Sequence, residues 1–555
     1  MKKILIVNFT RMGDLLQSTP LIAGLKRKYP ASEITLAVMS DFRGICSGFP
    51  GVDKLISLDF GLYIGRLRHD SLSIEDHYTY LNKIVRRMSG GYDMVINLSH
   101  SNLSAVYCHL SGCEDIRGQM MIREGAVIVR HPWMNYFFDV SRNRLYNTFN
   151  LVDMYNMTGD IDMLERKEYY TIPEDAKSFP DEFLKDYQGK FIGFQLGAST
   201  EDKRWDPEMF GKVASLIHEK LGWNIIVFGR GGESELLKKM RNTYSGSIID
   251  AIDKTSLPQL AALLKRCELL ITNDTGTMHL ATAVGTGVVV LDLGEALAAD
   301  TGPYTEKAVV LEANIPCAPC SFQTTCLDHK CHRFIHPEDV FNAVVNFDDL
   351  TTGEIEQYED STDMENLILS RPVFEDDGFW YLAPLIKRPL TVDHLLRGLY
   401  RRMWKVFLNP ERNSHPTEFE KYYSPPKDED FATKLYDLRQ KFAELSDLGS
   451  KGMRISRTLM DNIDSPSVGN LRSLTKELIV LDNSIYHLEL TVKEIAPIAT
   501  IFRLNKNNAE HGDLEYIAGM TQRLYSDICR QSQFMIEGIE LFAPRFSEIR
   551  ESVPA

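Results

Sequence analysis

The feature that most constrains this chain is an alternation of short, continuous apolar runs with amphipathic helical stretches, met twice in succession. The first series comprises ILIV (4–7), ITLAV (34–38), MVINL (94–98) and AVIV (126–129). The second comprises FIGFQL (191–196), IIVF (225–228), LLI (269–271), VVVLDL (288–293) and AVVL (308–311). Runs without polar alternation predict parallel strands covered on both faces, so each series predicts an open α/β sheet. The joint falls near 165–185, in the charged, proline-containing ERKEYYTIPEDAKSFPDEF. After 348 the pattern changes. An acidic stretch, TTGEIEQYEDSTDMEN, predicts a linker, and 391–408 predict a basic amphipathic helix. That helix sets Val392, Leu395, Leu396, Leu399, Met403 and Phe407 against Arg397, Arg401, Arg402 and Lys405. A loop rich in proline and charge follows (409–430). From 428 onward helical periodicity dominates, broken at DSPSVGN (464–470) and NKNNAEHGD (505–513), which predicts a bundle of three or four long antiparallel helices. The expected divisions are therefore 1–175, 176–348, 349–427 and 428–555.

Charge narrows the function. The 555 residues carry 62 basic and 77 acidic side chains, a net charge of −15, which argues against a protein that coats nucleic acid. No apolar run reaches the roughly 18–20 residues of a membrane-spanning helix. The start, MKKILIVNFTRMGD, reads as a first strand and not as a signal peptide. A cytoplasmic protein is the expectation.

Three loops after strands carry chemistry. Behind ILIV, the segment NFTRMGDLLQSTP places Gly13 and Asp14 at a helix start, beyond the carboxyl end of a strand where open α/β sheets bind ligands. Asp14 suits a helix cap, and it equally suits a general base for an acceptor hydroxyl. Behind FIGFQL, GASTEDKRW supplies two hydroxyls, Ser199 and Thr200, and a cation, Lys203, which suit an anionic ligand such as a diphosphate. Behind LLIT, NDTGTMH ends a strand at Asp274 and opens a helix at Thr275 and Gly276. Its unsatisfied amides suit phosphate, and His279 falls on the first helical turn. The glycine-rich turn FGRGGESE places Glu233 where a carboxylate could bind a ribose or base, or simply cap the turn.

Nine cysteines are present, and four of them, Cys317, Cys320, Cys326 and Cys331, lie within fifteen residues. Four thiolates on one loop suit tetrahedral zinc or iron, and a full cysteine shell leaves no open position, so such a site would be structural.

Taken together, RMGDLLQSTPLIAGLKRKYP (11–30), GASTEDKRW (197–205), the GRGGESE turn, NDTGTMHLATAVGT (273–286) and DTGPY (300–304) resemble the ADP-heptose:lipopolysaccharide heptosyltransferases over about residues 1–345. These are inverting glycosyltransferases of family 9. The resemblance implies a GT-B fold, in which two Rossmann-like domains face each other across a cleft. Here an all-α bundle would follow them. The N-terminal domain would take the acceptor and the C-terminal one the nucleotide sugar. By position, Asp14 matches the base, with Gly13 in the acceptor-side loop. Lys203, Asp274, Thr275, Gly276 and His279 match donor-binding residues, and Ser199, Thr200 and Glu233 match less closely. No catalytic metal is implied.

The four-cysteine loop is similar to the iron-binding finger of the related autotransporter heptosyltransferases, so the acceptor could be a lipid-linked glycan or a protein. The region after 348 has no counterpart in the compact family pattern. Self-association through the bundle or peripheral contact with the inner membrane face through 391–408 would fit it. A helix packed on the N-terminal domain with its arginines solvated is the simpler expectation. The contrasting reading is a scaffold built on a degenerate transferase, against which the intact Asp14, Lys203 and DTGTMH stand.

Overall fold

The computed structural model describes residues 1–59, 73–321, 326–353, 365–410, 418–462, 468–509 and 514–551. Residues 354–364 of the expected acidic linker, 411–417 of the expected loop, and 463–467 and 510–513 at the two expected helix breaks lie outside the described residues. Two compact units emerge. One combines Met1–Met120 with Phe149–Ile386, the other Met121–Thr148 with Lys387–Ala555. The divisions expected at 175, 348 and 427 cut the chain differently.

The first unit holds the two large α/β sheets. In the N-terminal sheet β1 (Lys3–Val7), β2 (Glu33–Met39), β3 (Lys54–Leu58), β4 (Met94–Asn97) and β5 (Ile116–Met121) run in the order β3-β2-β1-β4-β5. Leu5 registers with Thr35 on one side of β1 and with Val95 on the other, both parallel. Ile4, Leu5, Ile6 and Val7 have no exposed surface, as a strand covered on both faces requires. Strand β6 (Val127–Arg130) belongs to the second unit.

The C-terminal sheet contains β7 (Phe191–Gln195), β8 (Asn224–Phe228), β9 (Ile248–Asp250), β10 (Leu269–Asn273), β11 (Gly287–Asp292), β12 (Ala308–Ala313), β13 (Leu367–Phe374) and β14 (Trp380–Pro384). Their order is β14-β13-β12-β11-β10-β7-β8-β9. Strand order reverses between β1 and β4 in the first sheet and between β7 and β10 in the second. Such switch points open a crevice at the carboxyl ends of the strands. The last two strands are antiparallel additions between the acidic stretch and the basic helix, where no strand was expected, with Leu311 opposite Leu369 and Pro372 opposite Leu382.

The second unit is helical. Phe431–Asp461, Val468–Thr491, Ala496–Ala509 and Leu514–Glu551 are the long helices expected from periodicity. Glycines let two of them approach closely: a Cβ on Gly452 would come within 2.3 Å of the Tyr525 ring, and one on Gly449 within 2.8 Å of Cys529 Sγ. The helix Val392–Phe407 buries Leu395, Leu396, Leu399, Met403 and Trp404. It packs on the 121–148 segment, with Tyr400 against Tyr146 at 5.7 Å and Trp404 against Tyr136 at 5.7 Å. The expectation of solvated cations on this helix is corrected at two positions. Arg401 and Lys405 are buried, Arg401 donating to the Thr148 carbonyl. With those apolar side chains covered inside the unit, this face is not one that lies on a bilayer. Among the described residues, no helix is long and apolar enough to cross a membrane.

Candidate active site

Strand β1 delivers Asn8, fully buried, to the crevice, where its amide donates to the Asp14 carbonyl (3.2 Å) and its side-chain carbonyl accepts from the Thr10 amide (3.2 Å). This turn launches the helix Met12–Gln17. Asp14 is its third residue and not its N-cap, and one carboxylate oxygen accepts from the Arg11 amide at 3.3 Å. A capping contact that long leaves the half-buried carboxylate available for other work.

The loop meets the start of the helix Gly276–Val284. A Cβ on Gly13 would sit 3.0 Å from His279 Cδ2 and 3.6 Å from its Nε2, and one on Gly276 would sit 2.6 Å from the Met12 methyl. Two glycines therefore allow the Met12–Gln17 helix start and the Gly276–Val284 helix start to touch. The helix begins after Thr275, in extended conformation, so the first-turn amides lack acceptors within the helix and favour an anion.

Lys203 Nζ donates to Asp274 at 2.8 Å, each side chain 14% exposed. Burial works against the lysine charge, but Asp274 more than offsets it, and Lys203 titrates above its usual range. The loop carrying Lys203 is stapled by Asn273, also fully buried. Its carbonyl oxygen accepts from the Trp205 amide at 3.0 Å, and its side-chain amide donates to the carbonyls of Leu196 (3.0 Å) and Gly197 (3.2 Å). Thr277 donates to Gln195 (3.1 Å), and Gln195 donates to Glu233 (3.0 Å), which also accepts from the Arg230 amide (3.1 Å). Burial pushes the Glu233 carboxyl up, partly countered by those two donors. Ser199 is exposed and Thr200 half-buried, and neither joins this network.

His279 is 3% exposed and does not stand free in the crevice. Its Nδ1 lies 2.7 Å from Glu168 Oε1, and the other oxygen of Glu168 accepts from Thr282. Burial lowers the histidine's affinity for a proton. Glu168, with lesser help from Asp274 and Asp14, overcomes this, and the pKa rises.

Glu168, Asn273 and Gln195 were not among the expected site residues. Asn273 and Gln195 close the strands that precede two recognised motifs, a place where they could have been sought. Glu168 lies 111 residues from its partner, with no local signal.

The four cysteines share one loop beside the Lys203 segment. The Cys320 amide donates to the Gly294 carbonyl at 2.8 Å, and His332 Nε2 lies 2.8 Å from the Asp202 carbonyl. Burial, then the neighbouring Cys326, Cys331 and Cys317, pushes the Cys320 thiol up to about 11. Cys317 is exposed while Cys331 is buried, and among the described residues no three His, Cys, Asp or Glu side chains converge to hold a metal. As placed, the loop does not fit the four-sulfur site expected of it.

Residues 81–331 match the model of glycosyltransferase family 9 (heptosyltransferase). Lipooligosaccharide heptosyltransferase 2 of Campylobacter jejuni is 32% identical over 165 residues, 28% of this chain and 50% of that protein. The chain thus spans half the length of that relative. The enzyme of the same name from Haemophilus influenzae is 25% identical over 324 residues, covering 56% of this chain and 88% of that protein. Among solved structures, the family 9 glycosyl transferase from Veillonella parvula is 25% identical, covering 56% of this chain and 85% of its own, with a TM-score of 0.47. The first unit holds two open, mostly parallel sheets of the kind expected of a GT-B fold, and the second unit is the helical one.

Proposed function

We propose that this protein is an inverting transferase that moves heptose from an ADP-sugar to a hydroxyl of a cell-envelope glycan such as the lipopolysaccharide core. The observation that supports this reading is the contact between the Gly13–Asp14 loop and the start of the Gly276–Val284 helix; with the acceptor on the N-terminal side and the donor on the C-terminal side, the Asp14 carboxylate then stands beside the amides that would bind the diphosphate. The names of the relatives supply the sugar and the glycan.

In this reading the first-turn amides of the 276–284 helix and Lys203 bind the diphosphate, which gains negative charge as the bond from the anomeric carbon to the phosphate oxygen breaks. Lys203 exchanges part of its bond to Asp274 for the phosphate. Glu233, held by Gln195 and the Arg230 amide, receives the ribose. The acceptor oxygen attacks the anomeric carbon from the face opposite ADP and gives its proton to Asp14 in a single displacement, which inverts the configuration. The enzyme works in the cytoplasm at the inner face of the membrane, where it meets a lipid-linked acceptor.

Asp14→Asn tests the base. The account expects ADP-heptose affinity within about twofold of wild type and transfer reduced at least about 100-fold, the range for loss of a general base. Transfer at the wild-type rate contradicts it.

A further inference from the structure

Glu168 is a fully buried carboxylate of the first unit, and a carboxylate so placed needs full compensation. Both oxygens are committed: Oε1 to His279 Nδ1 at 2.7 Å and Oε2 to the Thr282 hydroxyl. Among the described residues its ion-pair partner is His279, with no lysine or arginine bridged to it. The stretch carrying it is pinned to the N-terminal half, where the Tyr169 amide donates to Thr19 Oγ1 (2.9 Å) and the Thr171 amide to the Gly48 carbonyl (2.7 Å). Glu168 therefore reaches from the acceptor side of the unit to a ring on the donor helix. The far side of that ring faces Gly13, with Nε2 3.6 Å from where a Cβ would stand.

We propose that Glu168 is a positioning residue for transfer: it holds His279 by Nδ1, so that Nε2 carries its proton toward the Gly13–Asp14 loop and the departing diphosphate. This rests on the donor-site reading given above. A ring nitrogen bonded to a carboxylate bears hydrogen, and when the ring is charged the opposite nitrogen is also a donor. The charged groups facing His279 are Glu168, Asp274 on the loop after β10, and Asp14 on the 12–17 helix, all carboxylates, while the nearby Lys203 is engaged by Asp274. Each favours the imidazolium and burial opposes it. Because the folded-state value is raised, the charged ring is present at lower pH and lost as pH rises through that value. Without the Glu168 charge, burial dominates and the loss moves to lower pH.

The test is Glu168→Gln, which keeps the shape and removes the charge. The pH dependence of kcat for ADP release from ADP-heptose, with acceptor present, is measured beside ring-nitrogen NMR of histidine-labelled protein. The wild-type ring is expected to keep its charge to a pH above the ordinary histidine value of about 6.5. In Glu168→Gln the alkaline fall in kcat should move down by at least about one pH unit, a tenfold change on the limb, with the donor KM within threefold. Superimposable profiles from two equally stable proteins overturn the proposal, as does a wild-type ring that loses its charge at or below the ordinary histidine value of about 6.5. If Glu168→Gln fails to fold, the wild-type ring titration decides. If the wild type releases no ADP, the donor reading fails, and the same titration, which needs no substrate, still decides the role of Glu168.

Discussion

Gly197 shows how little room the candidate site leaves around a single atom. A Cβ there would stand 1.8 Å from Glu233 Oε1, and one on Gly229 would stand 2.3 Å from Oε2. Gly197→Ala must therefore expel a carboxylate that Gln195 and the Arg230 amide hold in place. ADP-heptose affinity in this variant is expected to fall at least about tenfold, or 1.4 kcal/mol, by calorimetric titration, with little change in melting temperature. Unchanged affinity would remove Glu233 from the donor site. At this scale the sequence discloses what local spacing encodes. Lys203 and the DTGTMH segment stand after strands, where a loop and a helix start face the crevice, and the structure joins Lys203 to Asp274. Glu168 was invisible because its meaning depends on a ring 111 residues away. Arg401 and Lys405 were misread for a related reason, since a cationic stripe looks solvated until the segment that covers it is known.

At the scale of elements, the parallel strands were legible because burial on both faces removes polar alternation; their order, and with it the switch points, came from the structure. The β13–β14 hairpin was not. Pro372 interrupts the run LILSRPVF, and proline inside a run argues against a central strand. Yet β13 lies between β12 and β14. The hairpin is anchored by Trp380, 1% exposed, whose indole donates to the Pro303 carbonyl (3.1 Å) and whose amide donates to Asp153 (3.2 Å). Asp153 also accepts from the Tyr304 hydroxyl at 2.8 Å, within the DTGPY motif. The hairpin therefore belongs to the packing of the α/β unit. Trp380→Ala is expected to destabilise the first unit by about 3–5 kcal/mol in denaturant titration, the usual cost of emptying so large a buried site. A loss under about 1 kcal/mol would contradict this role.

For the whole molecule, periodicity gave the helices of the C-terminal region, but not the company they keep. Segment 121–148, read as part of the first α/β domain, packs with those helices: Trp133 donates to Asn409 (2.8 Å), and the Asn135 and Asn505 side chains bond at 2.7 Å. Pairings this distant in sequence leave no trace in composition or period, so the boundary could not be read from the chain. The α/β unit nevertheless contains every residue assigned to the donor and to the base, and the account stands or falls on that site. Its most direct test is calorimetric titration with ADP-heptose, ADP, UDP-glucose and GDP-mannose, for wild type and Lys203→Ala. The account predicts binding of ADP-heptose and ADP, none of the other two, and affinity about 10- to 100-fold weaker without the lysine, the value of a charge-assisted bond. Preference for a uridine or guanosine nucleotide, or equal ADP-heptose affinity in the two proteins, would contradict it.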